Sequence, residues 1–246
     1  MALLQVEKLN KAFGGLSAVT NCSFDVQQGS ITALIGPNGA GKTTVFNLVS
    51  GVLKPDSGTV TFDGQQIQKL APHQITRLGM NRTFQISLNL EAMTVLENMV
   101  VLAPIHGLRG LLQRSIKPNE RKRAMELLDF VGIAHLADEV TRNLSYGQKK
   151  LLDFASLLMA EPKLILLDEP AGGVNPALLE RIIDRVQQLN KDGMTFLIVE
   201  HNMELVMSVS QTVIVMAYGQ VIAEGAPEII QNDKTVLEAY LGKVAS

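Results

Sequence analysis

Residues Gly36–Thr43 read G-P-N-G-A-G-K-T, and few stretches this short restrict a fold so strongly. Glycines at these spacings let the backbone curl until successive N–H groups point at one place, which is how a chain holds phosphate oxygens. Gly36, Pro37, Asn38, Gly39, Ala40, Gly41, Lys42, Thr43 and Thr44 are the candidate phosphate-binding residues. Lys42 would reach the β- and γ-phosphates of a nucleotide, and the Thr43 hydroxyl would sit on Mg²⁺. Before the loop, Ile31-Thr32-Ala33-Leu34-Ile35 is a short apolar run that predicts a buried strand. After it, Thr43 to Leu53 has helical spacing, so the loop opens a helix whose N-terminal dipole also favours an anion.

This strand–loop–helix unit recurs in outline along the chain. Up to about Gly64, strand-like segments (Leu3 to Leu9, Ser23 to Val26, Ile31 to Ile35, Thr59 to Phe62) alternate with turn signals such as Phe13-Gly14-Gly15 and Asp63-Gly64. From about Ile86 to Asn143 the apolar spacing is mostly helical. Buried strands then return at Leu164 to Leu167, Thr195 to Val199 and Thr212 to Met216, with helices between. Alternation of this kind around a phosphate loop implies an α/β fold with a largely parallel sheet covered on both faces. The helix Pro176 to Lys191 is the most legible: Asn175 is its N-cap, Pro176 fits the first turn, and Gly193 follows its end. Leu178, Leu179, Ile182, Ile183, Val186 and Leu189 give it one apolar stripe.

Leu164-Ile165-Leu166-Leu167-Asp168-Glu169-Pro170 is four apolar residues ending in two carboxylates. Read alone it is a strand entering an acidic turn. Beside a phosphate loop it is a strand that delivers charge to a nucleotide at its carboxyl end. Asp168 is then the candidate Mg²⁺ ligand and Glu169 the general base that polarises the attacking water.

Leu144-Ser145-Tyr146-Gly147-Gln148 precedes a predicted helix from Lys149 to Met159, so Ser145 and the Gly147 N–H would present a further anion site. Here the chain resembles the ATP-binding cassette family, whose hallmark loop is L-S-G-G-Q. The resemblance implies an ATPase in which Ser145, Gly147 and Gln148 meet the γ-phosphate held by a second copy, sandwiching two ATP molecules head to tail. It places Gln85, in Arg82-Thr83-Phe84-Gln85, at the glutamine that joins Mg²⁺ or water to the helical subdomain. It places His201 at the switch histidine that contacts the γ-phosphate, and Phe13 at the aromatic residue that stacks on adenine. The implied fold is a P-loop NTPase core with a mixed, largely parallel sheet, an N-terminal antiparallel β subdomain and an inserted α-helical subdomain. The whole of residues 1–246 would then be one ATP-binding domain, with the helical subdomain at 86–143.

Two departures stand out. Tyr146 replaces the first glycine of the hallmark pair, so its side chain must turn away from the phosphate. Ala171-Gly172-Gly173-Val174-Asn175 replaces the family's usual T-S-A-L-D. F-G-G near the start, N-R-T-F-Q, L-S-Y-G-Q and a lengthened helical zone are similar to the ATP-binding subunits of bacterial uptake systems for branched-chain amino acids and related amides. That resemblance implies membrane-spanning permease partners, an extracytoplasmic substrate-binding protein acting indirectly, and a place on the cytoplasmic face of the inner membrane. It also implies a paired ATPase subunit, either a second copy or a related chain.

Composition trims the alternatives. With 22 basic and 24 acidic residues the formal charge is −2, which gives nucleic acid little purchase. That weighs against a soluble cassette ATPase working on ribosomes or DNA; an exporter subunit is the other alternative. Cys22 is the only cysteine, which excludes an intrachain disulfide and fits a reducing compartment. The N-terminus lacks the regions of a signal peptide, and no apolar run approaches the 18 or so residues of a membrane span. The basic run between Arg109 and Arg123 reads as a solvated face, with lipid headgroups or a permease edge as the alternative.

Overall fold

The computed structural model describes residues 1–83, 89–101 and 116–241. The chain forms two compact units, one built from Met1–Arg82, Lys163–Ala171 and the chain from Gln187 onward, the other from Thr83–Pro162 and Gly172–Val186.

The first unit holds two sheets. Strands β1 (Ala2–Phe13), β2 (Leu16–Gln27), β4 (Ser57–Phe62) and β5 (Gln65–Gln66) form an antiparallel sheet in the order β2-β1-β4-β5. A six-stranded sheet has the order β10-β9-β3-β8-β7-β6, from β3 (Ile31–Ile35), β6 (Met80–Arg82), β7 (Leu164–Asp168), β8 (Thr195–Val199), β9 (Thr212–Ala217) and β10 (Gln220–Gly225). All of its pairs are parallel except the β9–β10 hairpin. β3, β7 and β8 are buried at every residue, as strands covered on both faces must be.

Period-two alternation decides what covers each face. Leu34, Ile214 and Met216 join a core with Val45, Phe46 and Val49 of the helix α1 (Lys42–Val49) and with Leu4, Val6 and Val60 of the antiparallel sheet. Ala33, Ile35, Val213 and Val215 point the other way, onto Val206, Ile230 and Val236. These come from α7 (Met203–Val209), α8 (Pro227–Gln231) and α9 (Lys234–Leu241). So α1, with the phosphate loop at its N-terminus, is held between two sheets. Its end falls earlier than the sequence spacing predicts. Ser50 turns its hydroxyl back onto the Phe46 carbonyl (2.7 Å), and Gly51 adopts φ +73°, which stops the helix.

The second unit contains α3 (Val95–Val101), α4 (Pro118–Phe130) and α5 (Tyr146–Leu158), with α3 packed on both of the others. Its polar hub is Asn98. Its Oδ1 accepts the Leu90 N–H (2.7 Å), while its amide donates to the Leu90 carbonyl (3.1 Å) and the Thr141 hydroxyl (2.9 Å). One buried amide thus ties the chain before α3 to the short turn Thr141–Asn143 before the hallmark loop. The helix α6 (Pro176–Lys191) buries Leu178, Ile182 and Val186 along the centre of its apolar stripe, and its flanks stay partly exposed.

Stranding a buried hydrogen-bonding group costs about 1–3 kcal/mol. Asn98→Leu strands the Leu90 N–H and the Thr141 hydroxyl together and is expected to destabilise the protein by at least about 2 kcal/mol. Urea denaturation reads this, and a loss within about 0.5 kcal/mol, the range of an ordinary surface change, would contradict the hub.

Candidate nucleotide site

Parallel strands end on one edge of their sheet. The register Asp168↔Val199 sets the end of β7 beside that of β8, and Leu34↔Val199 sets the end of β3 beside β8 from the other side. The phosphate loop, the acidic pair and His201 therefore emerge together at the carboxyl edge, where open α/β sheets receive ligands.

The loop itself is shaped by contacts that forbid a side chain. Gly36 has φ +148°, and a Cβ there would lie 2.1 Å from the Met216 carbonyl oxygen. Gly41 caps α1 with φ +99°, and its Cβ would lie 2.6 Å from the Ala18 oxygen. Gly39, also at positive φ, faces open space, so the loop is unobstructed on that side. Lys42 arches back over this turn and donates to the carbonyls of Gly36 (2.7 Å) and Pro37 (3.1 Å). Burial pushes its ammonium below the usual lysine range, while the nearby Glu169 carboxylate pulls it back up. The loop fits a polyanion: it opens the N-terminus of a helix and holds a buried cation that gains by meeting negative charge.

Asp168 is buried at the end of β7. Its Oδ2 lies 2.7 Å from Arg82 Nη2. Arg82 Nη1 in turn donates to Asn47 Oδ1 of α1 (2.6 Å) and to Ser50 Oγ just past its end (3.0 Å), and the guanidinium lies 5.2 Å from the centre of the Phe46 ring. Sequence reading quoted Arg82 as part of N-R-T-F-Q and gave it no role. Only the fold, by pairing β6 with β7, makes it a partner for Asp168.

Glu169 adopts φ +48°, the left-handed region that a non-glycine residue seldom occupies, and donates its N–H to the Val199 carbonyl (2.9 Å). His201 Nδ1 lies 3.9 Å from Glu169 Oε1, and the imidazole is largely exposed. Phe13, at the turn between β1 and β2, leaves its ring half-exposed with Lys11 Nζ 5.7 Å from its centre. Burial raises the phenol of Tyr240, in α9, above the usual range, and the nearby Gly36 backbone lowers it in part. For a divalent cation the chain offers oxygen donors, the Thr43 hydroxyl and the Asp168 carboxylate, which suit Mg²⁺. Among the described residues no group of three or more His, Cys, Asp or Glu gathers at one point. Phosphate oxygens and water would complete such a site. Gln85 lies outside the described residues.

In the second unit, Ser145 caps α5: its hydroxyl accepts the Gln148 N–H (3.3 Å), and the Gln148 side chain accepts the Ser145 N–H (2.8 Å). Asn175 caps α6 by accepting the Leu178 N–H (2.9 Å). The helix α5 thus begins three residues before the predicted Lys149, because the capping box lies within the hallmark loop itself. The two departures from the hallmark pattern turn out to touch. The Tyr146 hydroxyl donates to the Gly172 carbonyl (3.2 Å), and a Cβ on Gly173 would lie 3.2 Å from that hydroxyl. Gly147 packs against α6 nearby, where a Cβ would lie 2.8 Å from Leu178 Cδ2. In the basic run, Lys117 and Arg123 pair with Glu120 and Glu126 at 3.6 and 3.7 Å across exposed turns of α4, a solvated face. Arg109 and Arg114 lie outside the described residues.

A family model described as ABC transporter matches residues 19–172, and one described as branched-chain amino acid ATP-binding cassette transporter matches residues 220–246. The chain is 44% identical over 247 residues to the probable branched-chain amino acid transport ATP-binding protein LivG of Archaeoglobus fulgidus, covering 98% of this chain and 96% of the relative. It is 38% identical to the high-affinity branched-chain amino acid transport ATP-binding protein LivG of Escherichia coli K12, covering 98% of each. Among solved structures, a nucleotide-free ATP-binding cassette from an ABC transporter superposes with a TM-score of 0.86 at 37% identity over 99% of this chain and 100% of that one. The ADP conformation of MJ1267, an ATP-binding cassette of an ABC transporter, gives 0.87 at 36% identity with the same coverage.

Removing one partner of a buried ion pair costs about 3–5 kcal/mol. Arg82→Met keeps an apolar side chain beside Phe46 but deletes the countercharge and the cation–π contact, so a loss of stability in that range is expected in urea denaturation at neutral pH. A change below about 1 kcal/mol, typical of an exposed pair, would show that the Asp168 carboxylate does not depend on Arg82.

Proposed function

Because this chain belongs to the ABC transporter family, we propose that it is the ATP-hydrolysing subunit that energises a membrane importer for branched-chain amino acids or related amides. The observation that carries the proposal is the convergence of Lys42, Asp168, Glu169 and His201 at one sheet edge around the glycine-rich loop. The cargo class rests on the names of the relatives and on the second family match, at residues 220–246. Those names favour import over the exporter and ribosomal alternatives.

In this reading the loop N–H groups of residues 39–43 and the Lys42 ammonium hold the β- and γ-phosphates. Phe13 stacks on adenine. Mg²⁺, when bound, would neutralise charge on the phosphates, with Thr43, Asp168 and Gln85 as the residues that hold it. Glu169 sits beside His201 with its carboxylate partly exposed, placed to accept a proton from water, and His201 would contact the γ-phosphate. Ser145 and the Gly147 N–H would meet the γ-phosphate bound by a second copy or related subunit. A phosphate shared in this way links nucleotide binding to pairing: ATP closes the pair, and loss of the γ-phosphate lets it part.

No helix of the described residues is long and apolar enough to cross a membrane. Membrane-spanning permease subunits would supply that part, with this chain on their cytoplasmic face and a substrate-binding protein outside. The chain acts as a single ATP-binding domain with a helical subdomain inserted at 86–143.

Lys42→Ala is expected to abolish ATP hydrolysis in a steady-state assay. Glu169→Gln is expected to bind ATP and accumulate as an ATP-held dimer on size-exclusion chromatography. Normal turnover by Glu169→Gln would sink the general-base assignment.

A further inference from the structure

A glutamate with no exposed surface stands beside this site and has no part in the chemistry above. Glu200 follows β8 directly and is 0% exposed. Fully buried glutamates are rare unless their oxygens are satisfied, and here both are. Oε1 accepts the Ala171 N–H at 2.8 Å, and Oε2 accepts the N–H groups of His201 at 2.9 Å and Asn202 at 3.1 Å. All three donors lie outside helices and strands, where no ladder would otherwise pair them.

The two loops so joined are those that carry Glu169 and His201. Glu169 stands in the left-handed conformation, which costs energy for any residue with a Cβ and persists only where the surroundings over-determine it. Two bonds do so. Its own N–H is fixed to the Val199 carbonyl, and the chain two residues further on is fixed by Ala171 to the Glu200 carboxylate. Both acceptors belong to consecutive residues at the end of β8. The second Glu200 oxygen ties down the start of the His201 loop, whose Asn202 then caps α7 by accepting the Leu205 N–H at 3.1 Å.

We propose that Glu200 is a positioning residue that holds the Glu169 and His201 loops in one fixed relation, so that base and γ-phosphate contact arrive together. The proposal rests on the assignment of Glu169 and His201 given above. Glutamate suits this task because a carboxylate is an acceptor at both oxygens. A glutamine of the same shape must turn its NH₂ toward Ala171 or toward His201 and Asn202, where it faces another donor.

The test is carried out on the full chain. Glu200→Gln is expected to lower kcat for ATP hydrolysis about tenfold to a hundredfold, the scale of a misplacement near 1 Å, with KM and ATP affinity within about twofold of the wild type. Glu200→Asp, which keeps two acceptor oxygens, is expected to recover part of that loss. In the wild-type protein, the amide protons of Ala171, His201 and Asn202 are expected to exchange slowly with solvent, as strand amides do. An unchanged kcat in Glu200→Gln overturns the proposal, and so does exchange of these amides at the rate of exposed loops. If Glu200→Gln fails to fold, the wild-type exchange measurement decides. Failure of the underlying assignment looks different: Glu169→Gln would then keep its turnover, while the three amides stayed protected.

Discussion

Three pieces of backbone meet at the phosphate loop with no room for a side chain between them. The Gly36 Cα faces the Met216 carbonyl, the Gly41 Cα faces the Ala18 carbonyl, and Gly219 lies against Ala18 as well. Hydrogen bonds lock the same junction: the Gly219 N–H donates to the Ala40 carbonyl, and the Thr20 N–H donates to Gly219. This close approach fixes the antiparallel sheet, the central strand and the β9–β10 turn to one another through the loop. A methyl group at position 36 would push the loop off the end of β9. The backbone N–H groups would then no longer converge, and Lys42 would lose the two carbonyls over which it is folded. The shape of the loop, on which the proposed phosphate binding depends, is therefore set by packing before electrostatics.

What could be read from the sequence follows from how local each determinant is. The strands Ile31–Ile35 and Thr195–Val199 and the helix Pro176–Lys191 coincide with their predicted limits because burial on two faces, or a cap and a stripe, is written in consecutive residues. The first two strands were harder. β1 and β2 run 12 residues each, well past the predicted Leu3 to Leu9 and Ser23 to Val26. Their register shifts near Lys8 and Asn21, both at positive φ, and such bulges break the alternation on which strand reading depends. Arg82 and Glu200 were illegible for a different reason. Each is a charged residue beside a strand whose meaning comes from partners 86 and 29 positions away. No local pattern encodes such a pairing.

Tyr146 and the Gly172-Gly173 pair show how a departure in one motif can be matched in another. Taken separately, a bulky residue in a phosphate-contacting loop and a glycine pair after an acidic strand each look like a loss. Together they make one contact: the ring lies over the second loop, its hydroxyl donates to Gly172, and Gly173 leaves space for it. Lys150 Nζ lies 5.5 Å from the centre of the same ring. The substitution exchanges a small residue for a tie between the two loops.

Three carboxylates crowd the ends of β7 and β8, and a site built to receive a triphosphate cannot present them all as bare charge. The structure deals with each in its own way. Asp168 faces a guanidinium, itself anchored on α1, so its charge is balanced before any cation arrives. Glu200 is turned inward and its oxygens are filled by backbone N–H groups, so its charge serves the loops and is hidden from the ligand. Only Glu169 keeps a partly exposed carboxylate, with the His201 imidazole 3.9 Å away and Lys42 close enough to couple to it. Burial and pairing thus set three chemically similar groups apart, and on the proposed function these surroundings suit Asp168 to a metal, Glu200 to bracing the loops and Glu169 to accepting a proton. The selection lies in what surrounds each carboxylate, and the parallel sheet makes it possible by ending adjacent strands at one edge.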